Sequence, residues 1–336
     1  MGRRPDSHGS PPFFPSFQPN AMTFLDLVRT HMTVAAHPNR PRRLTMRRFL
    51  PYLLSLPALL VCIGILIPFF TAVYYSTLRF RLNLPMMKGF IWVDNYISFL
   101  TDAAFWNTVQ VSLVYALVTV TGELLLGLGI ALLLVRPTKI NNAASIMLLL
   151  PLMTAPALAA LMWKLMTNPN FGILSYLVSQ LGFDNFNWAS DPSSALFTVV
   201  LVDVWVYTPF IMILLLAGLR SLPKQPFEAA ALDGVPRSFV FFRITLPMLM
   251  PYIITASLFR LLDSMQQFDI VYSMTQGGPG DTLMVFQVQA YLEFFQYTNV
   301  GRSAALLIVL WAITYALSNI FIKHWLKLRE RAHGPA

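Results

Sequence analysis

Charge is scarce in this 336-residue chain: Asp, Glu, Lys and Arg make up 12% of it, against 56% hydrophobic residues and a mean hydropathy of +0.59. A soluble domain carries about 25% charged residues, so this chain has too few to cover a water-facing surface, and a polytopic membrane protein is expected. Cysteine is nearly absent: Cys62 stands alone, which excludes internal disulfides and a zinc cluster. Val61 precedes it where a lipoprotein needs a small residue, so Cys62 reads as apolar filler. The histidines (His8, His31, His37, His324, His333) all lie outside the apolar runs, which argues against histidine chemistry at membrane depth. No GxxxxGK[ST] occurs and no lysine is followed by Ser or Thr, so nucleotide machinery is lacking. No internal repeat is evident, and with it goes the inverted-repeat logic of secondary carriers. The net charge of +9 would suggest nucleic acid if it clustered on a polar domain. Here the basic residues fall between apolar runs, where topology explains them.

A spanning helix needs about 20 mostly apolar residues. Six stretches qualify: 51–78, 104–135, 143–166, 195–218, 248–272 and 303–322. The first follows basic residues as a signal peptide would, but it runs on through Tyr74 and Tyr75 without a cleavage site, so an uncleaved span is expected. Placing the N-terminus inside gives inner segments 1–49, 136–142, 219–247 and 323–336, which hold 18 of the 24 Lys and Arg. The outer segments hold Arg79, Arg81, Lys88, Lys164 and Arg302, and Arg260 lies within a span. The positive-inside rule then puts both termini in the cytoplasm. Residues 1–48 are expected as a disordered basic cytoplasmic tail, with Met22 and Met46 as alternative translation starts, 49–325 as the transmembrane domain and 326–336 as a cytoplasmic tail.

Between spans four and five stands EAAALDGVPRSFVFFRITLP, residues 228–247. Pro226 and Glu228 suit a first helical turn, Ala229 to Leu232 are strong helix formers, and Gly234 can take the left-handed conformation that ends a helix. Pro236 can open a second short helix through Arg243, with Leu246-Pro247 leading into the next span. Taken alone, this is an ordinary helical linker or a compact knuckle with an alanine side. The spacing of Glu228, Ala229, Ala230, Gly234, Ile244, Leu246 and Pro247, with Asp233, resembles the EAA signature of bacterial ABC importer permeases. VDVWVYTPFIMILLLAGLRSLP (202–223), FDIVYSMTQGGPGDT (268–282) and GRSAALLIVL (301–310) extend the resemblance over about 50–325, to carbohydrate importers of the maltose and glycerol-phosphate type.

That resemblance implies an all-α fold of six transmembrane helices, the type I ABC importer (MetI-like) permease fold, with a coupling helix at about 224–243. It implies a bacterial inner-membrane location and three partners: a second permease, an ABC ATPase dimer and an extracytoplasmic solute-binding protein. It also implies a sugar, polyol or glycerol-phosphate-type cargo, and no cofactor on this chain, ATP and Mg being bound by the ATPase. Under it, Glu228, Ala229, Ala230, Asp233, Gly234, Ile244, Leu246 and Pro247 couple to the ATPase. Gly277, Gly278 and Pro279 are docking candidates for the binding protein, although shaping a turn is their simpler role.

Ionisable groups at membrane depth are costly and face a cavity or a partner. Arg260, Asp263, Ser264 and Gln267 share one face of a helical wheel, and Arg260 and Asp263 are spaced to pair. That face is either a substrate pathway or a structural ion pair at the interface with the second permease. Asp203 and Tyr207, one turn apart beside Pro209, suit a sugar, although aromatic residues are also common membrane-interface anchors. Glu123, among Gly122, Gly127 and Gly129, reads as structural or interfacial, with close helix packing. Asp269 is expected near the outer end of its span. Two rival functions stay open here: an ion-coupled carrier, and an intramembrane enzyme using Asp203 with Asp263 as a carboxylate pair.

Overall fold

In the computed structural model, residues 44–183 and 186–333 are described. The chain divides into Met1–Ile63 and Gly64–Ala336, and the packing below lies within the second unit. Helix α1, Leu44–Ser76, exposes its side chains along the apolar run from Leu54, as a lipid-facing or subunit-facing helix does. Residues 44–48, expected in the tail, are instead its first turn, while residues 1–43 lie outside the described part. A two-stranded hairpin follows, β1 (Leu78–Arg79) antiparallel to β2 (Gly89–Phe90), then a short helix α2 (Asp94–Leu100). Helix α3, Ala103–Leu134, opens where the Asp102 carboxylate accepts the Ala104 N–H at 2.9 Å.

The third expected span, 143–166, is not one helix. α4 (Lys139–Leu148), capped by Thr138, and α5 (Pro156–Met166) meet at 92°. Pro151 starts a single 3-10 turn and Pro156 starts α5, so Thr154 and Ala155 between them are extended. Proline has no N–H to continue a helix and drives the residue before it out of the α region. The chain continues through α6 (Ile173–Gln180) to α7 (Pro192–Ser221), which runs through Pro209 unbroken.

α8, Gln225–Leu232, ends ahead of Gly234, whose φ of +65° only glycine adopts freely. The expected second short helix is not separate. Helix α9 runs from Arg237 to Met265 without a stop at Leu246-Pro247. A π turn at Val240–Thr245 widens the backbone just ahead of Pro247, which leaves room for the ring and for the missing donor. At its other end the expected span 248–272 breaks: α9 stops at Met265 and α10 (Asp269–Thr275) starts anew. α11 (Phe286–Phe295) and α12 (Val300–His333) complete the chain, so the expected C-terminal tail continues α12 through His333. Among the described residues five helices are long and apolar enough to cross a membrane, or six if the bent α4–α5 pair is one span.

α3 and α7 pack along their length. A Cβ on Gly127 would lie 2.7 Å from Ile211, and one on Gly122 would lie 3.2 Å from Val204. Gly129, expected to share this role, meets nothing within 4 Å. One end of the bundle is tied where Leu82 N–H donates to Thr298 O (2.8 Å) and Gly301 N–H to Phe80 O (3.1 Å). At the opposite end Arg220 donates to Leu134 O (3.0 Å) and Val135 O (3.3 Å), next to α8.

Candidate functional site

The centre of the bundle holds one guanidinium and three carboxylates. Arg260 on α9 is 1% exposed. Its Nε and Nη2 donate to the two oxygens of Glu123 on α3, each at 2.6 Å, in a bidentate pair. Nη2 also reaches Asp203 Oδ2 on α7 at 2.9 Å, and Nη1 pairs with Asp263 one turn along α9. The Tyr207 ring covers the guanidinium at 3.9 Å, a cation–π contact. Gln267 Nε2 donates to Asp203 Oδ1 at 2.8 Å, and Ser264 shares a 2.9 Å hydrogen bond with Thr119 on α3. Three spans are thus joined through one side chain, whose planar fork supplies enough donors to serve all three acids.

The residues expected to line a pathway separate into two groups. Asp203, Arg260, Ser264 and Gln267 are buried inside this chain and line no open surface of it. Asp263, with its side chain 56% exposed, and the half-buried Tyr207 are where the network reaches the surface. The Arg260–Asp263 pair forms as the spacing predicts, but its dominant partner is Glu123, 137 residues away. Glu123 is the lone acid of its expected span and Arg260 the lone base of the expected span 248–272, and that balance was the available signal. The carboxylate pair needed by an intramembrane enzyme is occupied: the Arg260 guanidinium binds both Asp203 and Asp263. Asp269 is exposed in the first turn of α10.

At one end of the bundle α8 exposes Glu228, Ala229, Ala231 and Leu232, and the turn after it exposes Asp233 and Gly234, while Ala230 packs inward. Leu232 is 90% exposed, an apolar side chain at the tip of a polar segment. Four residues separate α8 from α9, the helix that carries Arg260. At the other end Gly277 is buried against Met284 and Val288 with φ +94°, and Gly278 N–H closes on Thr275 O at 3.0 Å. Gly277 to Pro279 therefore shape a packed turn. Nearby, burial pushes the Glu293 carboxyl above its usual range, with the Arg302 guanidinium opposing that rise.

A mostly helical bundle with a broken third span, an intramembrane charge cluster and an exposed short helix defines a multi-pass transport subunit with the MetI-like fold of type I ABC importer permeases. The chain belongs to the family of binding-protein-dependent transport system inner membrane components, matched over residues 32–331, of which the EAA segment is typical. It is 32% identical over 274 residues to the trehalose/maltose transport system permease protein MalF of Thermococcus litoralis, covering 82% of this chain and 92% of that one. The sulfoquinovosyl glycerol transport system permease protein SmoG of Agrobacterium fabrum is 31% identical, covering 82% and 90%. The trehalose transport system permease protein SugA of Mycobacterium tuberculosis is 32% identical, covering 88% and 94%. In fold, the chain is similar to a bacterial ABC transporter that imports the acidic polysaccharide alginate, with TM-score 0.74 and 18% identity over 84% of this chain and 96% of that one.

Proposed function

We propose that this chain is one permease subunit of an ATP-driven, binding-protein-dependent importer of saccharides or related polyols in a bacterial inner membrane. It pairs with a second permease, seats α8 in a separate ABC ATPase that binds ATP and Mg, and receives cargo from an extracytoplasmic binding protein. The observation that carries the reading is α8 itself. It is short, exposed, ended by a glycine and joined by four residues to the helix that holds the central arginine. A push on α8 moves the base of α9, and the Arg260 network passes that displacement to α3 and α7 as one body. The excess of Lys and Arg in the segments on the α8 side supports a cytoplasmic position for that end and for both termini. The relatives' sugar cargoes support a hydroxyl-rich substrate, for which Asp263 and the Tyr207 face offer a hydrogen-bonding group beside an aromatic one. The coupling set remains Glu228, Ala229, Ala230, Asp233, Gly234, Ile244, Leu246 and Pro247.

The test is reconstitution of the permease pair with its ATPase and binding protein in liposomes. Uptake should require ATP and the binding protein and should survive collapse of ion gradients. Uptake by this chain alone, driven by a proton or sodium gradient, would overturn the proposal in favour of a self-contained carrier.

A further inference from the structure

Opposite α8, the hairpin and the start of α12 enclose a second polar site. Arg79, Arg81, Asp94, Asn95, Asn299 and Arg302 are among the residues lining a cavity of about 720 Å³ there. Hydrogen bonds hold its walls: Leu82 N–H donates to Thr298 O, Gly301 N–H to Phe80 O, Arg81 forms a β-bridge with Asn299, and Asn95 Nδ2 donates to Ser76 O (2.8 Å) and Leu78 O (3.1 Å).

Basic residues are depleted from the outer loops of membrane proteins, so each one at this end calls for a reason. Lys88 lies over the Phe80 ring at 4.7 Å. Lys164 Nζ donates to Ser273 O at 3.3 Å. Arg302 is clamped by Asp102 and by Glu293, the latter at 2.9 Å. Arg79 and Arg81 differ: both are exposed, and among the described residues neither guanidinium makes a hydrogen bond or an ion pair. Two apart on an extended segment, they project to the same side. Asp94, in the first turn of α2, is the acid among the lining residues, and Arg81 acts on the Glu293 carboxyl from a distance without bonding to it. What is left is a concave site with two guanidinium forks that no carboxylate hydrogen-bonds, built from the hairpin, α2 and the start of α12 at the end of the bundle away from α8.

We infer that this cavity receives a carboxylate-bearing surface of the extracytoplasmic binding protein, with Arg79 and Arg81 as the receiving groups. The inference rests on the importer reading above. Guanidinium forks match carboxylates in a bidentate geometry, and paired charges at a docking surface chiefly govern association rate and its salt dependence. The seat is thus assigned to the hairpin rather than to the Gly277–Pro279 turn, whose first glycine is buried.

The experiment uses the full importer in phosphatidylcholine nanodiscs and the purified solute-binding protein of the same gene cluster. Association is measured at low and high salt for the wild type, the Arg79→Gln/Arg81→Gln double variant and its Arg→Lys counterpart. The double Gln variant should associate about tenfold more slowly at low salt, with a flatter salt dependence. The Lys variant should retain most of the rate, and basal ATPase activity should match the wild type in both. Wild-type association and salt slope in the double Gln variant would overturn the inference. So would wild-type binding that appears only when phosphatidylglycerol is added, since that outcome marks a headgroup site. If the wild-type importer binds no solute-binding protein in either lipid, the importer reading itself fails, and this inference with it.

Discussion

Arg260 is the residue on which most depends. Buried acids without their counter-ion are far costlier than the pair is stabilising: breaking a buried ion pair by removing one partner costs about 3–5 kcal/mol. Arg260→Met should therefore leave Glu123 and Asp203 buried and unpaired, and lower the thermal stability of the detergent-solubilised protein by that order. Adding Glu123→Gln to Arg260→Met should recover part of the loss, because it removes one stranded charge. Equal melting temperatures for the single variant and the wild type would contradict the network's structural role. Asp263 stands apart, as its carboxylate already faces water. Asp263→Asn should change uptake while leaving folding and ATPase capture intact, read as substrate uptake against pull-down yield. Much of this cluster was legible in the sequence, since Arg260, Asp263, Ser264 and Gln267 follow helical spacing. Glu123 was not assigned to it, because pairing between distant helices follows from packing, and periodicity within one helix cannot report it.

At the scale of the element, α3 against α7 depends on close approach. Gly127→Val should force Ile211 and the Met212 backbone apart, whereas Gly129→Val has open space to fill. Overpacking of a tight contact costs about 1–3 kcal/mol, so the Gly127 variant should melt lower and the Gly129 variant should match the wild type. A reversed order would contradict the packing described. The helix ends show what local signals can carry. Gly234 stopped α8 as expected, because positive φ is a property of one residue. The 92° break between α4 and α5 was missed because the apolar run reads as continuous, and the two flanking prolines act on conformation rather than on hydropathy. The opposite error came after Arg243, where the second short helix was expected to end and the backbone instead runs on through a π turn at Val240–Thr245 into the span.

For the molecule as a whole, charge and hydropathy made the membrane class legible, and the spacing of a few residues made the coupling segment legible. The hairpin site was not legible, because Arg79 and Arg302 are brought together only when β1 closes on the start of α12. The whole-molecule account places force at α8, transmits it along α9 and delivers it to the central network. Its most direct test is Glu228→Lys, with Glu228→Gln as the control for helix capping, in the reconstituted importer. Captured ATPase and ATP-driven uptake should be measured together. The account predicts that Glu228→Lys loses both by at least about tenfold, the 1.4 kcal/mol scale of one strong charge-assisted contact, while the permease pair stays assembled and Glu228→Gln retains most of each. Full capture and full uptake in Glu228→Lys would contradict it.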